Sequence, residues 1–172
     1  MKPTRKFGLL FLGATAAAVI SMTLPAGADS GVIQASGWLR DLAPATADPT
    51  DGAYAQVTSA AIDGHGSNVF LVVTGLDTDW VGTTLGAHVH SGSCVAGQPA
   101  TAGPHYNTGG PADQDHEVWL DFRIRPGGLG FARASVPFVI PHGGAHAVVI
   151  HAMATQPGGG AGARWACLPV EF

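Results

Sequence analysis

Apolar and polar residues alternate along most of this chain with a period of two, the spacing that puts every second side chain on one face of a strand. Glu117-Val118-Trp119-Leu120-Asp121 is one such stretch. Segments of this kind, bounded by Gly, Pro, Asp and Asn, predict strands near residues 32–39, 53–62, 68–74, 85–90, 117–124, 130–137, 145–152 and 165–170. Helical periodicity is scarce. Asp63-Gly64-His65-Gly66 and Arg125-Pro126-Gly127-Gly128 predict hairpin turns, with glycine supplying the positive φ angles. The longest interruption, residues 91–116, contains Cys94 and His105, and a loop of that length in a small domain points to a function. A second, Gly-rich loop at 157–163 lacks the Gly-Lys-Ser/Thr ending of a phosphate cradle and opens no helix, so a flexible loop is expected there. The pattern as a whole predicts an all-β fold, a Greek-key β-barrel or sandwich of about eight antiparallel strands with two long functional loops.

The start of the chain departs from this pattern. Lys2, Arg5 and Lys6 precede an apolar run from Phe7 to about Leu24, and Ala26-Gly27-Ala28 fits a small-x-small cleavage site before Asp29. Residues 1–28 are therefore expected to be a secretory signal peptide, and 29–172 one exported domain, bound for a periplasm, the cell envelope or the medium. A membrane anchor is the competing reading, but the apolar run is short for a span, so no membrane association is expected of the mature form. Of the 172 residues, 46% are hydrophobic and 12% charged, which excludes a disordered chain and a coiled coil. The 25 glycines cluster in turns without a triplet period, which excludes collagen. Removing the leader takes away three of the eight basic residues and none of the twelve acidic ones, moving the net charge from −4 to −7. No lysine remains, so nucleic acid is excluded as a partner. Cys94 and Cys167, exported together, favour a disulfide over free thiols.

Eight histidines are many for so weakly charged a chain. His88 and His90, two apart on a strand, project to the same side, close enough to share one metal ion. Two surface histidines on a strand would read the same way. His151 closes a later strand and His105 sits in the long loop, and four such imidazoles would suit copper or zinc. His65, His142 and His146 are expected to be structural or solvated. His142-Gly143-Gly144 could serve an esterase oxyanion hole, but no Gly-x-Ser-x-Gly is present. Trp38, Trp80, Trp119 and Trp165 read as packing.

Gly86-Ala87-His88-Val89-His90, Cys94, Gly103-Pro104-His105-Tyr106-Asn107, Val148-Val149-Ile150-His151 and Arg164-Trp165-Ala166-Cys167 together resemble the copper/zinc superoxide dismutases in order and approximate spacing, across most of residues 84–168. The resemblance implies a Greek-key barrel with His88, His90 and His151 as copper ligands. It implies that His105 corresponds to the histidine bridging copper and zinc, which leaves copper on reduction and takes up a proton. It makes Cys94 and Cys167 the intrasubunit disulfide. Arg164 becomes the arginine beside copper that attracts the superoxide anion. The implied activity is conversion of superoxide to O₂ and hydrogen peroxide by Cu(II)/Cu(I) cycling.

The chain departs from the family where zinc is held. Two further histidines and an aspartate are needed there, whereas residues 113–121 offer Asp113, Asp115, His116, Glu117 and Asp121. A zinc set from His105, His116 and two carboxylates would not reproduce the family spacing, so copper without active-site zinc is expected. A carboxylate on the far nitrogen of His105 would then orient it, with Glu117 the first candidate and Asp121 the second; solvated surface acids are the plainer reading of both. The segment 153–164 looks trimmed, which would leave copper more open. A non-enzymatic copper-binding or copper-delivery protein on the same fold is the alternative, and Arg164 speaks against it, because a carrier has no use for a cation beside copper. The oligomeric state is left open by the sequence.

Overall fold

The computed structural model describes residues 31–62 and 65–172, so the expected signal peptide and the Asp63-Gly64 turn lie outside the described residues. In chain order the strands are β1 (Val32–Trp38), β2 (Arg40–Asp41), β3 (Tyr54–Ile62), β4 (Gly66–Thr74), β5 (Thr84–Leu85), β6 (Ala87–His90), β7 (Phe122–Arg123), β8 (Gly130–Val136), β9 (Ala147–His151) and β10 (Arg164–Pro169). They form two four-stranded antiparallel sheets, ordered β1-β3-β4-β8 and β2-β10-β9-β6, and a small β5-β7 pair. Of the two expected architectures, the structure is the sandwich. Neither sheet closes on itself or on the other, so there is no closed barrel. No helix among the described residues is long and apolar enough to cross a membrane.

Alternation explains the first sheet. Ala55 and Val57 on β3, and Val69, Leu71 and Val73 on β4, turn inward and are buried, while Tyr54 and Val72 stay exposed. Each buried Val or Leu contributes about 1.5–3 kcal/mol. The second sheet is buried on both faces. Ala87, Val89, Val148, Ile150 and Leu168 complete the core shared with the first sheet. Ala147, Val149 and Cys167, pointing the other way, form a second cluster with Leu42, Cys94 and Ala102. The loop from Ser91 covers this outer face, and the Cys94–Cys167 disulfide holds it there, with 5.7 Å between the Cα atoms.

Three expectations need correction. The strand expected at 85–90 is broken at Gly86, where a Cβ would lie 2.7 Å from the Met153 carbonyl oxygen and 2.8 Å from the Ala161 methyl. Thr84 and Leu85 pair with β7, while Ala87–His90 pairs with β9. The strand expected at 117–124 forms a ladder only at β7. The rest makes single bridges, Asn107 to Glu117 and His88 to Trp119, because its neighbours there are loop and sheet edge. Its alternation is nonetheless real, since Val118, Leu120, Phe122 and Ile124 are all buried. The segment expected as a flexible loop is bonded back on itself, Met153 N to Ala161 O at 3.0 Å and Gln156 N to Gly160 O at 2.8 Å. The turn after β7 forms as expected, and Gly128 is required in it. Its φ is 69°, and a Cβ would lie 2.3 Å from the Leu76 carbonyl oxygen.

The disulfide spans 73 residues, a loop whose closure in the unfolded chain is worth on the order of 4 kcal/mol. Replacing both cysteines by alanine is expected to remove about that much stability, read as a lower urea midpoint with a steeper slope, because the unfolded chain without the cross-link exposes more surface.

Candidate metal centre

β6 and β9 are adjacent antiparallel strands, with His88 opposite Val149 and His90 opposite Ala147. Because Ala87, Val89, Val148 and Ile150 take the core side, His88, His90 and His151 share the outer face. The long loop then returns across that face, bridging His90 to His105. One ring nitrogen from each of the four histidines lies within 4.8 Å of all the others. His88 and His90 are fully buried and His151 nearly so.

Hydrogen bonds to the outer nitrogens fix which nitrogens face the centre. Thr155 donates its hydroxyl to Asp121 Oδ1, so its oxygen accepts from His88 Nε2 at 2.7 Å. His88 Nδ1 is left bare, buried and without a partner. His90 Nδ1 donates to the Gly103 carbonyl at 3.1 Å, and His105 Nδ1 to Glu117 Oε2 at 2.8 Å. His151 Nδ1 points at the Gly162 carbonyl, 3.4 Å away. His90 Nε2 and His151 Nε2 face each other at 3.2 Å, two lone pairs that repel unless a cation lies between them. The four-histidine group therefore fits a metal ion. All-nitrogen ligation suits copper or zinc and disfavours magnesium or calcium.

The electrostatics agree. Burial, with repulsion from neighbouring imidazoles, lowers His88 to about 2, His90 to about 3 and His151 to about 4. These rings are neutral and available as ligands at neutral pH. Burial pushes the Glu117 carboxyl up, but hydrogen bonds from Trp119, His105 and Asn107 outweigh it and hold it below the usual range. An ionised Glu117 thus orients His105 at one end of the site.

Arg164 reaches the same face through an irregularity. Cys167 pairs with Val149, yet Arg164 pairs with His151, so β10 carries one extra residue between them. Strict alternation back from Cys167 would turn Arg164 toward the core. The bulge sends Trp165 there instead, edge-on to Trp80 at 5.6 Å. Arg164 then donates to the Pro99 and Gly103 carbonyls at 2.7 Å each, and its charge helps lower His90 and His151. Gly103, at φ 66°, holds the carbonyl that His90 and Arg164 share.

Of the residues named from sequence, His88, His90, His105 and His151 come together, and Glu117 takes the place expected of the orienting acid. Asp121 acts elsewhere, on Thr155 and through it on His88. His116 turns to Asp113 at 2.7 Å and is not part of the cluster. Thr155 was missed. Thr155 and Gln156 are polar in an otherwise apolar and glycine-rich segment, which does not reveal a partner 67 positions away.

The fold, taken apart from the site, matches solved structures. The fold is shared with a SOD-like protein. That neighbour is a double mutant of a SOD-like protein from Bacillus subtilis, in which a tyrosine and a proline are replaced by histidine. It matches with a TM-score of 0.58 at 19% identity, over 82% of this chain and 97% of the other. The clock protein EA4 matches with a TM-score of 0.57 at 16% identity, over 84% and 97%. No family model matches the sequence, and no curated protein does.

Two outcomes are expected of this geometry. Thr155→Val should lower copper affinity about 10- to 100-fold and change the Cu(II) electron paramagnetic spectrum, with Thr155→Ser restoring both. In the metal-free protein, the depressed histidines bind protons only when the chain unfolds. They therefore cost nothing above pH 6.5, and stability falls as pH drops below it, down to about 4 for His151, 3 for His90 and 2 for His88. Each should tilt stability by about 1.4 kcal/mol per pH unit, seen as a urea midpoint that drops between about pH 6.5 and 5.

Proposed function

We propose that this chain is an exported copper superoxide dismutase, a metal-dependent oxidoreductase that works without active-site zinc. The observation that carries the proposal is the set of four inward-facing imidazole nitrogens with a fixed guanidinium beside them. His88 Nδ1 and the Nε2 atoms of His90, His105 and His151 would hold copper, which when bound would supply the one-electron couple for oxidising one superoxide to O₂ and reducing a second to hydrogen peroxide.

The rest of the work falls to the protein. Arg164, tied to two carbonyls, presents a fixed positive charge to an incoming anion at the edge of the centre. Overall the chain is acidic, so this local charge must overcome an unfavourable field. Forming the peroxide consumes two protons. His105 Nε2 would deliver one when it is not serving as a ligand, and the ionised Glu117 on Nδ1 would stabilise the imidazolium while the proton is held. Glu117 also takes over the orienting role that a second metal would have. His116 paired to Asp113, and Asp121 to Thr155, support a centre with copper alone. The disulfide suggests an oxidising compartment, in keeping with export after cleavage near Asp29.

The test is superoxide decay catalysed by the copper-loaded, zinc-free protein. Rate constants on the order of 10⁸–10⁹ M⁻¹s⁻¹ are expected. His151→Ala should abolish the activity. Arg164→Ala should slow capture and flatten the salt dependence while leaving copper bound. Tight copper binding without turnover, with or without added zinc, would overturn the enzymatic reading in favour of a copper carrier.

A further inference from the structure

Away from the histidines, three carboxylates converge at the loop that joins β2 to β3. Asp41 lies on β2, and Asp48 and Asp51 lie in the turn-rich segment that follows. One oxygen from each lies within 4.8 Å of the other two. Asp48 is the unusual member, only 5% exposed. Its Oδ1 accepts from both the backbone N–H and the hydroxyl of Thr50, at 2.8 and 2.6 Å. Its Oδ2 is buried and has no hydrogen-bond partner at all.

A buried carboxylate oxygen without a donor is costly, and two further acids beside it make the cost larger. Among the described residues, none of the three is in an ion pair with an arginine or a histidine. Burial and repulsion from Asp51 and Asp41 act together to disfavour the ionised Asp48. A proton or a cation at Oδ2 would relieve this cost. The other two acids keep their own hold on the backbone, Asp41 Oδ1 accepting from Ala43 N at 2.7 Å and Asp51 Oδ2 from Asp48 N at 3.3 Å. Each still has an oxygen to offer.

We propose that Asp41, Asp48 and Asp51 form a binding site for a hard divalent cation, Ca²⁺ above all. The donor set is oxygen only, and no imidazole or thiolate joins it. Calcium accepts six to eight such oxygens in flexible geometry, whereas magnesium demands a regular octahedron and gives up its waters reluctantly. The two centres of the protein thus sort metals by ligand softness, nitrogen for copper and carboxylate for calcium. Three carboxylates, one on β2 and two on the loop after it, suit the affinity range of extracellular modules, with Kd on the order of 10⁻⁴ to 10⁻³ M. The ion would pin the loop to β2, whose Asp41 carbonyl accepts from Gly97 N at 2.8 Å and so already holds the disulfide loop.

Calorimetric titration of the chelator-stripped, purified protein with CaCl₂ should give one site per chain, with MgCl₂ much weaker. Calcium should also raise the unfolding temperature saturably, by about 5 °C near ~10 mM. Asp51→Asn, at an exposed position, should lose most of both responses while leaving the Cu(II) spectrum of the loaded protein unchanged. If calcium acts no differently from NaCl at equal ionic strength, or if Asp51→Asn keeps the full response, the proposal fails and a proton on Asp48 accounts for the buried oxygen.

Discussion

Four imidazoles can be buried against one another only if each has somewhere to send its N–H. Here every outward nitrogen is turned to an oxygen of the chain: a threonine hydroxyl for His88, glycine carbonyls for His90 and His151, and a carboxylate for His105. With those protons directed out, four bare nitrogens face inward. Much of the surrounding structure follows from this requirement. Gly103 needs its positive φ to present its carbonyl, the 153–163 segment must fold back to bring Thr155 and Gly162 within reach, and Glu117 must stay ionised although buried.

The second sheet meets this requirement because it is buried twice. A sheet with one solvated face would leave His88, His90 and His151 in water, where their pKa values would stay near normal. The covering loop removes them from solvent, and the disulfide fixes that loop against β10. Burial on the outer face makes the rings neutral, and neutrality makes them ligands.

Much of the fold was legible in the alternation, because one face is apolar along β1, β3, β4 and β8 apart from the buried Ser59 on β3 and Ser67 on β4. The histidines were legible for the same reason, since His88 and His90 keep strand parity. Features that break parity or depend on distant packing were not. At Gly86 the chain changes partner from β7 to β9 at a point where Met153 and Ala161 leave no room for a Cβ, and β2 is two residues long with no pattern to read. The bulge beside Trp165 reverses the side on which Arg164 emerges, and nothing local announces it. Glu117 could be picked out because only a few acids follow His105. Thr155 could not, since its partners Asp121 and His88 lie 34 and 67 residues back.

The ligands come from places far apart in the chain. His90 and His151, whose nitrogens almost touch, are separated by 61 residues, and the disulfide joins cysteines 73 apart. Contacts of that range form late in folding, after the entropy of closing large loops has been overcome, and topologies dominated by them fold in milliseconds to seconds. The centre is therefore complete only in the finished topology, because a growing chain carries His88, His90 and His105 well before His151 is added. The fourth ligand and the cysteine that ties down the covering loop thus arrive last, so closure of the four-nitrogen site belongs to the completed chain.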